Sequence, residues 1–154
     1  MKHFCMAPFV HIQRNSFGEF NPCCMFSDNI YSEHDSIHEA FNSKENNDFR
    51  QKMLKDEKIK GCDKCYRDES LGKHSYRQRF NERYNQEYID SPKLKELELA
   101  LGNKCNYKCV DCNTKYSSSW YEDDLLLKRT HYTFKGQTIN NAIHEEDFKI
   151  MDLN

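Results

Sequence analysis

Eight cysteines stand among the 154 residues, and their spacing is the strongest chemical signal in the chain. Cys105, Cys109 and Cys112 follow the pattern C-x3-C-x2-C. Three closely spaced thiolates can hold three irons of a cubane iron–sulfur cluster and leave the fourth iron open. An open coordination position separates a catalytic metal centre from a closed structural one. The competing chemistry is zinc, held by the three thiolates and a nearby His or Cys. Zinc sites usually pair their ligands as two C-x2-C units. No fourth Cys lies near this cluster, so the spacing favours iron–sulfur. The other five, Cys5, Cys23, Cys24, Cys62 and Cys65, lie in the first half of the chain. In a reducing compartment such residues are metal ligands more often than disulfides.

The elements that must position them can be read from the pattern. Residues 8–13 and 19–24 read as two short strands joined by turn residues 14–18, a hairpin. Pro22 marks an edge strand or a strand end. Ser36 and Glu39 fit a capping box, predicting a short helix to about Asn42. A second helix is predicted from about Asn46, with Phe49, Met53 and Leu54 on its buried face and Gly61 as its stop. Residues 66–88 predict a charged helical stretch interrupted at Gly72. After a break at Asp90-Ser91-Pro92, residues 93–101 alternate, with leucines at 94, 97, 99 and 101, and read as a strand. Ser119 and Glu122 offer a further capping box before a helix through Leu125–Leu127. Thus the C-x3-C-x2-C loop follows a strand and precedes a helix. Active sites in parallel α/β folds lie beyond the carboxyl ends of strands. From Thr130 onward the pattern is poor, and a short hairpin or a partly disordered tail is expected.

Composition bounds the rest. Charged residues make up 31% and net charge is only −2. That balance gives no global electrostatic case for nucleic acid or an anionic membrane. Leu, Ile, Val and Phe together supply just under one fifth of the residues, a thin core for the length. Bound metal is therefore expected to help hold the fold. No apolar run approaches the roughly 18 residues needed to span a bilayer. The start, Met-Lys-His-Phe-Cys-Met, lacks a signal-peptide stretch. A cytoplasmic protein without a membrane partner is expected. Tyr76, Phe80, Tyr84 and Tyr88 recur every four residues beside Arg77, Arg79 and Arg83. Such a stripe can stack on nucleic acid. The commoner arrangement, and the one expected here, is a buried helix face with solvated charges beside it. The seven histidines show no ligand spacing.

The segment Leu101-Gly-Asn-Lys-Cys105-Asn-Tyr-Lys-Cys109-Val-Asp-Cys112 resembles the cluster loop of the radical S-adenosylmethionine (radical SAM) superfamily. The resemblance implies that Cys105, Cys109 and Cys112 bind a [4Fe-4S] cluster whose open iron is chelated by S-adenosyl-L-methionine. One electron then cleaves a carbon–sulfur bond and yields a 5′-deoxyadenosyl radical for hydrogen abstraction. Asp111 departs from the family, which usually has an aromatic or apolar residue there, near the adenine. Cys5, Gly18 and Cys23 form C-x12-G-x4-C, similar to the opening of the SPASM and twitch auxiliary-cluster modules. Cys62-x2-Cys65 resembles their C-x2-C segment. The resemblance implies that Cys5, Cys23, Cys62 and Cys65 close a second, auxiliary [4Fe-4S] site. Gly18 permits the turn that would bring Cys5 and Cys23 together. In an extended segment neighbours point to opposite faces, so only one of Cys23 and Cys24 is expected to ligate, and the glycine spacing favours Cys23. A four-Cys zinc site remains the alternative, since spacing alone separates it poorly from iron–sulfur. Ser117-Ser-Ser-Trp120 is also similar to small radical SAM proteins that carry an N-terminal twitch-like domain.

The expected fold class is α+β. Residues 1–90 form a Cys-rich hairpin-plus-helices module. Residues 91–154 open a partial (β/α)6 barrel with its first strand–loop–helix unit. A six-unit barrel needs roughly 190 residues, scaling from ~250 for eight units. Residues 93–154 are too few, and Gly136 is the one glycine beyond the cluster loop. A truncated or split radical SAM protein is expected, not competent in catalysis alone. Its implied partners are an electron donor such as flavodoxin or ferredoxin, a downstream polypeptide completing the barrel, and a peptide substrate. The alternative is a non-catalytic zinc or iron–sulfur interaction module.

Overall fold

In a computed structural model, which describes residues 1–16, 18–28, 36–112 and 116–126, the chain runs between short helices and three very short strands. The hairpin forms, but its first strand starts late. Pro8 sits in the first turn of a one-turn helix, α1 (Ala7–Val10), whose four residues are all buried. Proline is preorganised for that position and its missing N–H is no loss there. The predicted strand at 8–13 therefore shrinks to β1 (His11–Arg14). It pairs antiparallel with β2 (Phe20–Asn21), with Gln13 opposite Asn21 and Arg14 opposite Phe20. Gly18 takes φ +85° in the turn, a conformation that favours glycine. The strand expected at 19–24 shrinks to Phe20 and Asn21, because Pro22 has no N–H for a ladder and the chain turns at 22–25.

Helix α2 (Ile37–Asn42) starts where the Ser36 hydroxyl accepts the Glu39 N–H at 3.1 Å. Helix α3 (Lys44–Leu54) is capped by Ser43 in the same way. It ends at Leu54, well before Gly61, because Asp56 turns the backbone left-handed at φ +58°. The Asp56 carboxylate accepts the Lys2 and His3 backbone N–H groups at 2.8 and 2.6 Å, which fastens the chain start to this corner. Gly61 instead lies in a 3-10 turn (Lys60–Cys62) leading into α4 (Asp63–Ser70). Gly72, at φ +72°, breaks the charged stretch as predicted. Helix α5 (Tyr76–Tyr84) then begins with a full Ser75/Gln78 capping box.

The third strand, β3 (Glu96–Leu99), pairs parallel with β1, His11 opposite Glu96 through Arg14 opposite Leu99. Lys93 N–H to Phe9 O, Lys95 N–H to Val10 O and Ala100 N–H to Arg14 O extend the contact at both ends. The sheet order is β2-β1-β3, so residues on both sides of the 90/91 boundary share one sheet. The architecture is mixed α+β. After β3 come a 3-10 turn (Ser118–Trp120) and α6 (Tyr121–Leu126). The tail from Thr130 lies outside the described residues.

Two apolar clusters hold these pieces. Ile12, Phe20, Ile37, Ala40 and Phe41 fill one face of the sheet, with Leu94, Leu97 and Leu99 against them. Phe4, Met6, Phe9, Val10, Phe49, Met53 and Phe80 form the other cluster, beneath the cysteines. The aromatic stripe belongs to this second core. Phe80 is buried, the Tyr76, Tyr84 and Tyr88 rings are partly buried around it, and Phe80 stacks on Tyr84 at 6.3 Å. Arg77 departs from the expected solvated flank and is buried with them. No helix among the described residues is long and apolar enough to cross a membrane.

Ile12 is fully buried in the first cluster and remote from the cysteine cavity described below. Ile12→Ala should lower the unfolding free energy by about 2–5 kcal/mol, the cost of a buried cavity. Denaturant unfolding should show the loss whether or not metal is bound.

Candidate metal centre

Four cysteines from three separate segments line one cavity: Cys5, Cys23, Cys62 and Cys65. Cys5 precedes α1 and is buried, and its sulfur accepts the Ala7 N–H at 3.4 Å. Cys23 follows β2 in a turn closed by Phe26 N–H to Cys23 O at 3.1 Å. Cys62 ends the 3-10 turn, and Cys65 lies buried in the first turn of α4. Gly61 joins these segments. The Ser27 N–H bonds to Gly61 O at 3.1 Å. A Cβ at Gly61 would stand 2.3 Å from the Phe26 ring, so only a residue without a side chain lets the 23–27 segment lie so close to the C-x2-C turn. The Phe26 ring is held from behind by Phe49, edge to face at 5.4 Å. The cavity is small, about 20 Å³, with Phe26, Phe80 and Arg77 among its walls.

Burial governs the chemistry of these thiols. It pushes Cys5 up to about 12, with the neighbouring Cys62 and Cys65 adding to the rise. Burial likewise raises Cys62 to about 12, and Cys65 again contributes. Cys23 is pushed well above the usual thiol range by burial, then by Cys5. These thiols lie close enough for each to oppose its neighbours' ionisation. Desolvation makes an isolated thiolate here costly. A cation among the four would reverse that logic, because a coordinating thiol loses its proton to the metal.

Cys24 turns the other way, although the pair sits in the turn after β2 and not in the extended segment expected. It is not among the cavity walls, and it bonds with Glu98 and Tyr76 instead. Burial first, and then the Glu98 carboxylate, push its thiol up to about 11. Beside it, His11 is buried, and its Nδ1 lies 2.9 Å from the Pro22 carbonyl, so Nδ1 carries the proton. Burial lowers the His11 pKa, and its ring packs edge-on against Phe80 at 5.2 Å. His11 is a packed core residue.

Cys105, Cys109 and Cys112 lie on the loop between β3 and the 3-10 turn. Cys109 is exposed, and the other two are half-buried. Three consecutive serines hold this loop. Ser119 donates to the Cys105 carbonyl at 2.6 Å, Ser117 donates to the Tyr107 carbonyl at 2.7 Å, and the Ser118 N–H bonds to Asn103 O at 2.7 Å. Asn103 and Ser117 are themselves buried. The Ser119 hydroxyl, expected as a helix cap, thus serves the cysteine loop. Around the loop Leu101, Tyr107, Val110, Tyr116 and Leu126 are exposed, Val110 to 94%.

Among the described residues, no group of three or more His, Cys, Asp or Glu side chains is arranged to hold a single metal ion. Tetrahedral zinc demands four sulfurs within about 3.8 Å of one another, given Zn–S bonds near 2.3 Å. A cubane makes a different demand. Each thiolate binds its own iron, so the donors ring a void rather than meet at a point. Four thiols in apolar surroundings are the donor type that either metal takes.

Arg77, Glu69 and the serine clamp escape sequence reasoning. The one available signal for Arg77 was the Ser75/Gln78 capping box, which starts α5 just before it and fixes which face Arg77 presents.

Gly61→Ala should displace the wedged Phe26 ring and cost about 1–3 kcal/mol in unfolding free energy, as overpacking does. Metal stoichiometry should fall with it. Cys23→Ser should lose iron from the four-Cys site on anaerobic reconstitution, whereas Cys24→Ser should retain the wild-type iron and sulfide content. The reverse pair of results would make Cys24 the ligand.

No protein-family model, no curated protein and no solved structure matches this chain. Its functional reading therefore rests on its own residues.

Proposed function

We propose that this chain is an iron–sulfur protein of the radical SAM type, with an auxiliary four-Cys cluster at Cys5, Cys23, Cys62 and Cys65. The observation that carries the reading is the gathering of those four residues, from three distant segments, around one cavity. The spacing resemblance singles out the same four. In this reading Cys105, Cys109 and Cys112 ligate the second cluster and leave one iron for S-adenosyl-L-methionine. When bound, that cluster supplies one electron for reductive cleavage of S-adenosyl-L-methionine, the source of a 5′-deoxyadenosyl radical that abstracts hydrogen.

The chain's own residues have narrower tasks. The three thiols ligate. Ser117, Ser118 and Ser119 hold the backbone of the loop that presents them. β3 enters the loop as the first strand of a partial (β/α)6 barrel, and α6 leaves it. The exposure of Leu101, Val110 and Leu126 leaves room for further covering surface. A second polypeptide supplying the remaining strands, an electron donor such as flavodoxin or ferredoxin, and a peptide substrate complete the proposal. The alternative, a non-catalytic zinc or iron–sulfur interaction module, keeps both cysteine sets and drops the chemistry.

Anaerobically reconstituted protein should hold two four-iron clusters, and stoichiometric zinc with negligible iron and sulfide would defeat the proposal. After dithionite reduction the chain alone should form little 5′-deoxyadenosine from S-adenosyl-L-methionine, because water exclusion and cofactor positioning need the rest of a barrel. Chromatographic quantitation should show turnover once the completing polypeptide is added. Clusters without turnover under any pairing would favour the interaction module.

A further inference from the structure

Among the described residues, Arg77 is the one cationic side chain in the wall of the four-Cys cavity. It is buried, and every nitrogen of its guanidinium has a partner. Nε donates to Glu69 Oε1 at 2.9 Å, Nη2 pairs with Glu69 Oε2, and Nη1 donates to the Phe4 carbonyl at 2.9 Å. The Ser75 hydroxyl holds Glu69 from behind at 2.6 Å. Phe4 immediately precedes Cys5, and Asn81 grips the same carbonyl at 3.0 Å and the Met6 N–H at 2.8 Å. The first cysteine is thereby tied to α5 on both sides. The charge has a second consequence. A buried cation fixed at the wall of a thiol-lined cavity stabilises negative charge there.

Resting on the reading of Cys5, Cys23, Cys62 and Cys65 as cluster ligands, we infer that Arg77 sets the reduction potential of that cluster by charge, with Glu69 as its opposing partner. Four thiolates around a doubly positive [4Fe-4S] core leave a net dianion, and one-electron reduction adds a further negative charge. Net charge near the cluster is one of the quantities that sets its potential. A fixed positive charge at the wall favours the reduced form and raises the potential. A carboxylate beyond it works the other way, more weakly, because it stands behind the guanidinium. Glu69 also fixes the fork of Arg77, so the cation cannot swing out to solvent. Arg77 is thus a positioning and charge-balancing residue rather than a ligand.

The test uses the full chain, reconstituted anaerobically, with the potential read by dithionite titration of the four-Cys cluster in a Cys105→Ala, Cys109→Ala, Cys112→Ala background. Arg77→Gln should shift the midpoint to lower potential. Glu69→Gln should shift it to higher potential. Arg77→Lys should restore a value near that of the parent. Shifts of opposite sign are the signature of charge, since a merely structural clamp would lower cluster occupancy in both variants and leave the potential alone. If Arg77→Gln fails to assemble a cluster, the Glu69→Gln arm decides alone. An upward shift supports the inference, and an unchanged or lower potential overturns it. Unchanged potentials in a cluster-bearing parent overturn the role of Arg77 and leave the cluster standing. A parent without iron and sulfide overturns the cluster reading itself, and this inference with it.

Discussion

Burial of Cys5, Cys23 and Cys62 in one apolar cavity holds their thiols protonated far above neutral pH, and that single constraint governs the N-terminal half. Thiols in such a place are inert as nucleophiles, because the reactive species is the thiolate. They become useful when a cation takes the protons' place. In the proposed reading Phe26 and Phe80 supply apolar walls for such a cation, and Arg77 supplies a positive charge beside the thiolates. The same apolar walls that make a lone thiolate costly would shield a bound cluster from water.

Little regular structure is spent on bringing the four sulfurs together. β1 and β2 pair over two residues each, and β3 adds four. Side chains and close backbone contacts carry the remainder. Asp56 fixes the chain start, Asn81 and Arg77 grip the carbonyl before Cys5, and Gly61 lets the Cys23 turn lie on the Cys62 turn. Arg50 does similar work deeper in, with hydrogen bonds to the Pro8 and Phe41 carbonyls. Each clamp replaces backbone pairing that these short segments are unable to supply. Polar groups buried this way are strict about geometry, since losing one partner strands the other.

Much of this was legible before any coordinates. The Ser36 cap, the Gly72 break, the end of β2 at Pro22 and the buried face of the aromatic stripe all follow from local chemistry. Alternation along a strand does not explain the parting of Cys23 and Cys24, because both lie in the turn after β2. The misjudged features depend on contacts between distant segments. Pro8 could open a helix or sit in a strand, and the burial of all four α1 residues decided for the helix. Gly61 looked like a helix stop, yet its absent side chain is needed for the Phe26 ring, thirty-five positions upstream. Arg77 looked solvated because an isolated helix says nothing of Glu69 or the Phe4 carbonyl. The parallel pairing of β3 with β1 could not be read from alternation, which reveals a strand and never its neighbour.

The two cysteine sets differ in the way their proposed roles demand. A closed auxiliary site needs all four ligands from the protein and shelter from solvent, and the N-terminal set sits in a walled cavity. A site that must admit a cofactor needs an open face, and Cys109 lies exposed on a loop whose backbone is fastened. The serine hydroxyls fasten the backbone, and the Cys105 sulfur in addition accepts the Tyr107 N–H at 3.4 Å. The sheet links the two sets. β1 leads away from Cys5, and β3 leads toward Cys105, side by side and in the same direction.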